Sequence, residues 1–215
     1  MSKLTPRVAA NLCLKRANRV LALARSLSSG PYTRQRNDLR RFALVMAVTA
    51  LDTYMHRAIM KAASVERSGG NLPRALRDER VPISSLEELA KAVVEGRKKG
   101  VHTRPWVRVR NTLHRALLRR TFQSFDDIGR GMSQLGVQNG WSKVAVELGT
   151  APAEIRERLN RIVLRRNQVV HEGDFVRQVR PQQVKYNSVD DEVVRDDVRW
   201  VSELLNAIDQ VVLGR

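Results

Sequence analysis

The chain holds a single cysteine, Cys13, in 215 residues, so neither an intramolecular disulfide nor a cysteine-built zinc cluster can form. Aromatic residues make up only 5% of it, too few for base stacking to be the main grip on a nucleic acid. No stretch approaches the roughly 18 consecutive apolar residues of a membrane span. The longest apolar run, Phe42 to Leu51, suits a buried helix. Acid is scarce: none precedes Asp38. There is no glycine-rich phosphate loop, Ser/His/Asp arrangement or internal repeat. His102 and His114 have no acid or cysteine at ligand spacing, so no metal site and no cofactor are expected. The amino terminus lacks the apolar segment of a secretory signal; its scattered arginines superficially suit a transit peptide, but a cytoplasmic protein is expected.

What is present is positive charge. Against 22 Asp and Glu stand 39 Lys and Arg, a net charge of +17 with a pI near 11.2. Such a field concentrates polyanions, so RNA or DNA is the expected partner, held mainly through phosphates. The length suits one elaborated domain over residues 1–215.

The periodicity is helical throughout, and an all-α fold is expected. Thr5 to Leu27 reads as a basic amphipathic helix stopped by Ser28-Ser29-Gly30-Pro31, with Val8, Leu12, Leu14, Val20, Leu21 and Leu23 apolar. Arg34 to Ala63 is the longest core helix, carrying Leu44, Val48, Leu51, Met55 and Ile59 at helical spacing. After a break at Ser68 to Pro73, Ser84-Ser85-Leu86-Glu87-Glu88 reads as a capping box opening a helix from about Ser85 to Glu95. Gly96 to Arg110 reads as the most basic loop. There Arg97, Lys98, Lys99, Arg104, Arg108 and Arg110 can neutralise phosphates, and Trp106 either stacks on a base or tucks into the core. Two further helices, Asn111 to Arg120 and Ser124 to Leu135, precede Gly136 and Asn139-Gly140. Trp141 to Leu148, a turn at Gly149 to Pro152, and a long helix to His171 follow; after an irregular stretch from Val176 to Tyr186, Asp190 to Leu213 closes the chain.

The long helix ending at His171 carries the chemistry. On a helical wheel Ile155, Leu159, Ile162, Val163, Val169 and Val170 form an apolar stripe, and Arg166 falls in its middle. An arginine there is costly unless it is paired or lines a polar cleft. Asn167 and His171 are four apart and share a face, whereas Arg166 and His171 lie roughly 140° apart around the wheel. Asp52, at the edge of the apolar face of the long core helix, is a carboxylate that wants a cation, either Arg166 or a surface arginine such as Arg41 or Arg57. His56 is a pocket neighbour or a partly exposed helix histidine.

Arg166-Asn167 followed by His171, within the phrase RNQVVHEGD, resembles the motif of the HEPN superfamily, and the phrase is similar to the RiboL-PSP type of HEPN domain. The likeness covers roughly Asp38 to Leu213, with residues 74–140 reading as an insertion into the minimal bundle, 1–30 as an added helix and 141–213 as the motif and closing helices. The resemblance implies an up-down helical bundle and a homodimer facing itself across the motif helices. It also implies an RNA-targeting toxin or antiviral defence effector under a possible regulatory partner, and an acidic residue on an earlier helix, here Asp52, that holds the motif arginine. Control by a nucleotidyltransferase partner goes with a tyrosine two residues after the histidine, where this chain has Gly173.

The residue types fit metal-independent RNA cleavage. RNA brings its own 2′-hydroxyl nucleophile; a histidine moves the proton, an arginine neutralises the phosphorane, and an asparagine orients one of them. The expected products carry 2′,3′-cyclic phosphate and 5′-hydroxyl ends. Two alternatives stay open: a noncatalytic RNA-binding HEPN-like module, and a DNA-binding helix-turn-helix with Ala145, Gly149 and Ile155 at its motif spacing, which would use Arg156 and Arg158.

Overall fold

Apolar spacing of three and four residues produces the long helices where the sequence places them. The computed structural model describes residues 4–28, 30–65, 72–100, 105–176 and 184–214, with 65, 105 and 106 described by backbone alone. Nine helices occur among them: α1 Pro6–Ser26, α2 Thr33–Val65, α3 Arg74–Arg77, α4 Ile83–Lys98, α5 Pro105–Leu117, α6 Phe125–Gln134, α7 Gly140–Leu148, α8 Pro152–His171 and α9 Asp191–Leu213. The only pairing of extended backbone among the described residues is one isolated antiparallel bridge, Phe175 to Tyr186. The chain is all-α. No described helix is long and apolar enough to cross a membrane.

Cross-helix pairs fix the directions. Arg7 meets Asn206 and Arg25 lies 3.6 Å from Asp191, so α1 runs antiparallel to α9. Arg40 reaches Asp191 at 3.1 Å and the Tyr54 hydroxyl donates to Asp209 at 2.7 Å, so α2 runs parallel to α9. Arg158 pairs with Asp196 while Arg165 donates to the Ser188 carbonyl, so α8 is antiparallel to α9 and to α2. Arg161 forks onto buried Asp197 at 2.6 and 3.1 Å, and that hydrogen bond holds its guanidinium pKa above the usual value.

The core is the shared interior of these four helices with α6 and α7, joined by Leu113 and Leu117 of α5 and Leu76 of α3. Leu44, Val48, Leu51, Met55 and Ile59 of α2 and Val194, Val198, Val201, Leu204, Leu205, Ile208 and Val211 of α9 are all buried, as their spacing requires. The inner face of α1 differs from expectation. It is made by Ala9, Ala10, Leu14, Ala17, Leu21 and Ala24, while Val8, Leu12 and Leu23 stay exposed. Small residues let α1 approach Ala43, Ala47 and Ala50 of α2, and close packing outweighs the larger transfer energy of the outer residues.

Residues 74–140 divide in two. α6 belongs to the core: Phe125, Ile128 and Met132 are buried, and Ser124 caps the helix by accepting from Asp127 N. By contrast α4 buries only Gly96 and packs chiefly on α5. It starts at Ile83 after Pro82 with no side-chain cap, so Ser84 and Ser85 fall inside the first turn and the capping box is not used. The expected basic loop is also corrected. Among its described residues, 96–98 end α4 and 105–110 begin α5, because Pro105 suits the first helical turn and Val109 and Leu113 extend the apolar spacing upstream. Arg104 lies outside the described residues, as does the side chain of Trp106.

Gly131 of α6 sits where a β-carbon would meet Met55 Cε and come within 3.1 Å of the Phe122 ring. Gly131→Ala sets a forced shift of Met55 Cε and the Phe122 ring against the roughly 1 kcal/mol that alanine gains over glycine in a helix, so a net loss of about 1 kcal/mol is expected, measured as a lower urea midpoint at unchanged slope.

Candidate active site

The end of α8 is shaped by Gly173 and Asp174. Both take left-handed backbone, φ 65° and 60°, and the Asp174 amide returns to the Gln168 carbonyl at 2.9 Å, closing the helix. A β-carbon at Gly173 would come within 2.7 Å of the Phe175 ring, so glycine is needed twice over. Asp174 is buried, and its carboxylate is held by three side chains. Arg165 of α8 donates through Nη1 and, at 2.9 Å, through Nη2; Arg41 of α2 donates through Nε; Asn187 donates to Oδ1 at 3.1 Å. Asn187 N also donates to the Asp174 carbonyl at 2.9 Å, and Val176 N to the Lys185 carbonyl at 2.8 Å, which pins the returning chain beside the helix end. Burial raises the Asp174 pKa, but the hydrogen bonds from Arg165, Arg41 and Asn187 outweigh it and hold the carboxyl below its usual value.

Three residues before this clasp, His171 is exposed at the last position of α8. Arg166 Nη1 lies 3.5 Å from His171 Nε2 and donates to Asn167 Oδ1 at 3.0 Å. The three motif residues thus converge on one patch. The wheel angle between Arg166 and His171 is bridged by the length of the arginine side chain. Arg166 is half-buried, its Nε has no partner, and its Nη2 makes no hydrogen bond among the described residues. That leaves the open edge of a guanidinium beside an imidazole, an arrangement that can hold an anionic oxygen and move a proton at adjacent positions. Of the expected stripe, Ile155, Leu159 and Ile162 are buried and Val163 and Val169 half-buried, but Val170 is 46% exposed.

Asp52 does not hold Arg166. Its Oδ1 accepts from Phe122 N at 2.6 Å, and its Oδ2 lies 3.6 Å from His56 Nδ1. The reason is register. Arg41 marks the level of the motif end on α2, and Asp52 is eleven residues further on, about 16 Å along a helix rising 1.5 Å per residue. Asp52 instead ties the α5–α6 connection to α2, together with His56, which contacts the Leu117 carbonyl at 2.9 Å and the edge of Phe122. The carboxylate that organises the motif end is Asp174, binding Arg165 and Arg41 rather than Arg166. Its sequence signal is an acid directly after a helix-stopping glycine, with Arg165 on the same helix and Arg41 in reach only through the fold.

The basic residues expected to grip RNA lie elsewhere. Arg97, Lys98 and Lys99 at the end of α4 and Arg108 and Arg110 on α5 are exposed, and Arg108 and Arg110 share a cavity wall with Ala63 and Ser64 of α2. Ala63 is 22 residues beyond Arg41, about 33 Å along α2. The structure therefore sets the α4–α5 cations toward the opposite end of the bundle from His171. Arg156 and Arg158, the residues a DNA-reading α8 would use, are turned onto neighbours: Arg156 over the Phe125 ring and Arg158 over the Trp200 ring and onto Asp196. No three His, Cys, Asp or Glu side chains are grouped as metal ligands among the described residues.

Compared with models of known protein families, residues 12–214 match RiboL-PSP-HEPN. Neither the curated proteins nor the solved structures contain a match to the chain.

Proposed function

That this chain belongs to the RiboL-PSP-HEPN family is the premise from which we propose that it is a metal-independent endoribonuclease acting through Arg166, Asn167 and His171. The observation that carries the reading is the 3.5 Å approach of Arg166 Nη1 to His171 Nε2 at an exposed helix end, with Asn167 fixing the guanidinium. His171 takes the 2′-hydroxyl proton as that oxygen bonds to the adjacent phosphorus, and a protonated imidazole returns one to the departing 5′-oxygen. Arg166 Nη2 receives the charge that builds on the non-bridging phosphate oxygens. The bond formed is P–O2′ and the bond broken is P–O5′, which leaves 2′,3′-cyclic phosphate and 5′-hydroxyl ends.

Two copies pairing through α8 would set two such patches across one cleft. Leu164 at 59% exposure and Val170 at 46% supply apolar surface beside the motif that such a pairing would cover. Leu164→Glu is expected to give a monomer by sedimentation and to lose cutting at equal folded content. The role this activity suits is that of an RNA-targeting toxin or antiviral defence effector, with a partner protein holding it off.

The test is incubation of mixed cellular RNA with the purified protein in EDTA, followed by end-group analysis. Cyclic phosphate and 5′-hydroxyl ends support the reading; intact RNA bound with a strong salt dependence would replace it with a noncatalytic binding module. The exposed cations of α4 collect the substrate. Changing Arg97, Lys98 and Lys99 together to alanine is expected to reduce the slope of log Kobs against log salt by about 2, at about 0.7 per single-strand phosphate neutralised. A slope unchanged by that substitution would place the RNA on another face.

A further inference from the structure

The arm made by α3, α4 and α5 forms a cavity of about 330 Å³ against the far end of α2. Its walls are aliphatic: Leu76, Val81, Leu86, Leu89, Val109 and Leu113 all line it. Several of these are incompletely buried, Leu86 being 53% exposed and Val81 and Val109 36% and 37%, although they converge on one partly open cleft. α4 has the spacing of an amphipathic helix but buries only Gly96, so its apolar face is turned toward this cavity without closing it. Apolar side chains arranged around a space they do not fill leave contact energy unrealised, and an apolar ligand recovers it.

The rim adds a second requirement. Arg77, Arg108 and Arg110 line the cavity, and none of them makes an ion pair or side-chain hydrogen bond among the described residues. Their neighbours behave differently. Arg115 pairs with Glu88 and Arg120 forks onto Glu79, so acids were within reach of this arm and are spent elsewhere. Glu79, the one acid on the cavity wall, is fully engaged, accepting from Arg120 through both oxygens and from Gln134 Nε2 at 2.6 Å. Three guanidinium groups with no ion pair among the described residues, in the lining of an aliphatic cavity, are complementary to one negative charge carried on an apolar body. Ser64, Ser85 and Thr112 add hydroxyls to the same lining.

We propose that this cavity is a binding site for a small amphipathic anion, an aliphatic chain ending in a carboxylate or phosphate. The chain would lie among the leucines and valines and the head against Arg77, Arg108 and Arg110. The volume of about 330 Å³ lies at the lower end of the roughly 300–1,000 Å³ of small-molecule sites, which suits a short chain of about ten carbons. The largest share of the described lining is Leu and Val side chains, which suit an aliphatic body. The site is independent of the cleavage residues, which lie at the other end of α2.

Titration calorimetry of the full chain with decanoate and with decanol tests this, with methyl NMR locating the ligand. Expected are one decanoate per chain, shifts at Leu76, Leu86, Leu89 and Leu113, and decanol binding at least tenfold more weakly. Arg77→Glu combined with Arg108→Glu should weaken decanoate at least tenfold without weakening decanol. Leu89→Trp, which fills the cavity, should abolish binding of both, with helical content and melting midpoint confirming that the variant is folded. Equal affinity for decanol and decanoate would overturn the anionic head. Decanoate binding that survives Leu89→Trp, or no binding at millimolar ligand, would overturn the site. A single-stranded oligonucleotide that shifts these methyls where decanoate does not would give the cavity to nucleobases instead.

Discussion

His171→Ala is expected to lower RNA cleavage by about 10²- to 10⁴-fold, the range over which a positioned proton-transfer group contributes, with no loss of stability. The second half of the expectation follows from exposure. His171 stands at the solvent-facing end of α8, and among the described residues its side-chain polar contact is the 3.5 Å approach of Arg166 Nη1. Surface substitutions of this kind change stability by roughly 0.5 kcal/mol or less. Arg166→Lys is the informative companion. It keeps the positive charge but removes the planar fork that spans Asn167, His171 and a phosphate oxygen, so cleavage should fall nearly as far as in Arg166→Ala. Single-turnover rates on a defined RNA, with circular dichroism on each variant, separate chemistry from folding. A His171→Ala protein that cuts at the wild-type rate would move proton transfer to another residue, and an Arg166→Lys protein with full activity would reduce the arginine to a simple charge.

Asp174→Asn should be the most destabilising single change near the site, by about 3 kcal/mol, because among the described residues it leaves the Arg165 guanidinium, largely removed from water, without an anion and leaves Arg41 with only the exposed Asp38 at 3.0 Å. The Asp174 side chain is 2% exposed, that of Arg41 11% and that of Arg165 23%. Asparagine has nearly the same shape, so the loss reports charge and hydrogen bonding rather than volume. The effect has a defined pH dependence. The folded-state pKa of Asp174 is held below the unfolded value of about 3.9, so its contribution is complete above that value and is lost as pH falls through the lower folded value. Urea unfolding of the two proteins should therefore differ by a constant amount from about pH 7 to pH 5 and converge below about pH 4. A difference that persisted undiminished at pH 3 would assign the stabilisation to something other than the carboxylate. Because Asp174 closes the helix whose last residue is His171, the same variant should also cut RNA more slowly at temperatures where it remains folded.

The two expectations differ in how they could be reached. His171 and its neighbours were legible because motif, helix and helix end are all local: Arg166, Asn167 and His171 lie within six residues, and Gly173 stops the helix wherever it packs. Even so, the wheel left Arg166 and His171 apart, and only the placed side chain shows that a long arginine reaches the ring. Asp174 was passed over because its partners come from 133 residues upstream and 13 residues downstream as well as from its own helix. For Asp52 the local grounds, a carboxylate at the edge of an apolar face, require a cation without saying whether it is Arg166 or a surface arginine, and the fold gives the carboxylate to Phe122 N and His56.

By itself, then, the sequence determined what short-range physics decides. The spacing of Leu, Val and Ile set the helices and the buried faces of α2 and α9, glycine and proline set most of their ends, and the excess of arginine and lysine set the attraction to polyanions. Tertiary structure decided which charges meet. An ion pair depends on the direction and register of two helices, and a shift of one turn moves a side chain by about 5.4 Å, further than a hydrogen bond can span. The antiparallel seating of α8 on α2 brought Arg41 to Asp174, left Asp52 about 16 Å along the axis, and set the α4–α5 cations toward the far end from His171. Alanines likewise gave no strong sequence signal, yet they form most of the inner face of α1, because how closely two helices approach depends on both surfaces at once.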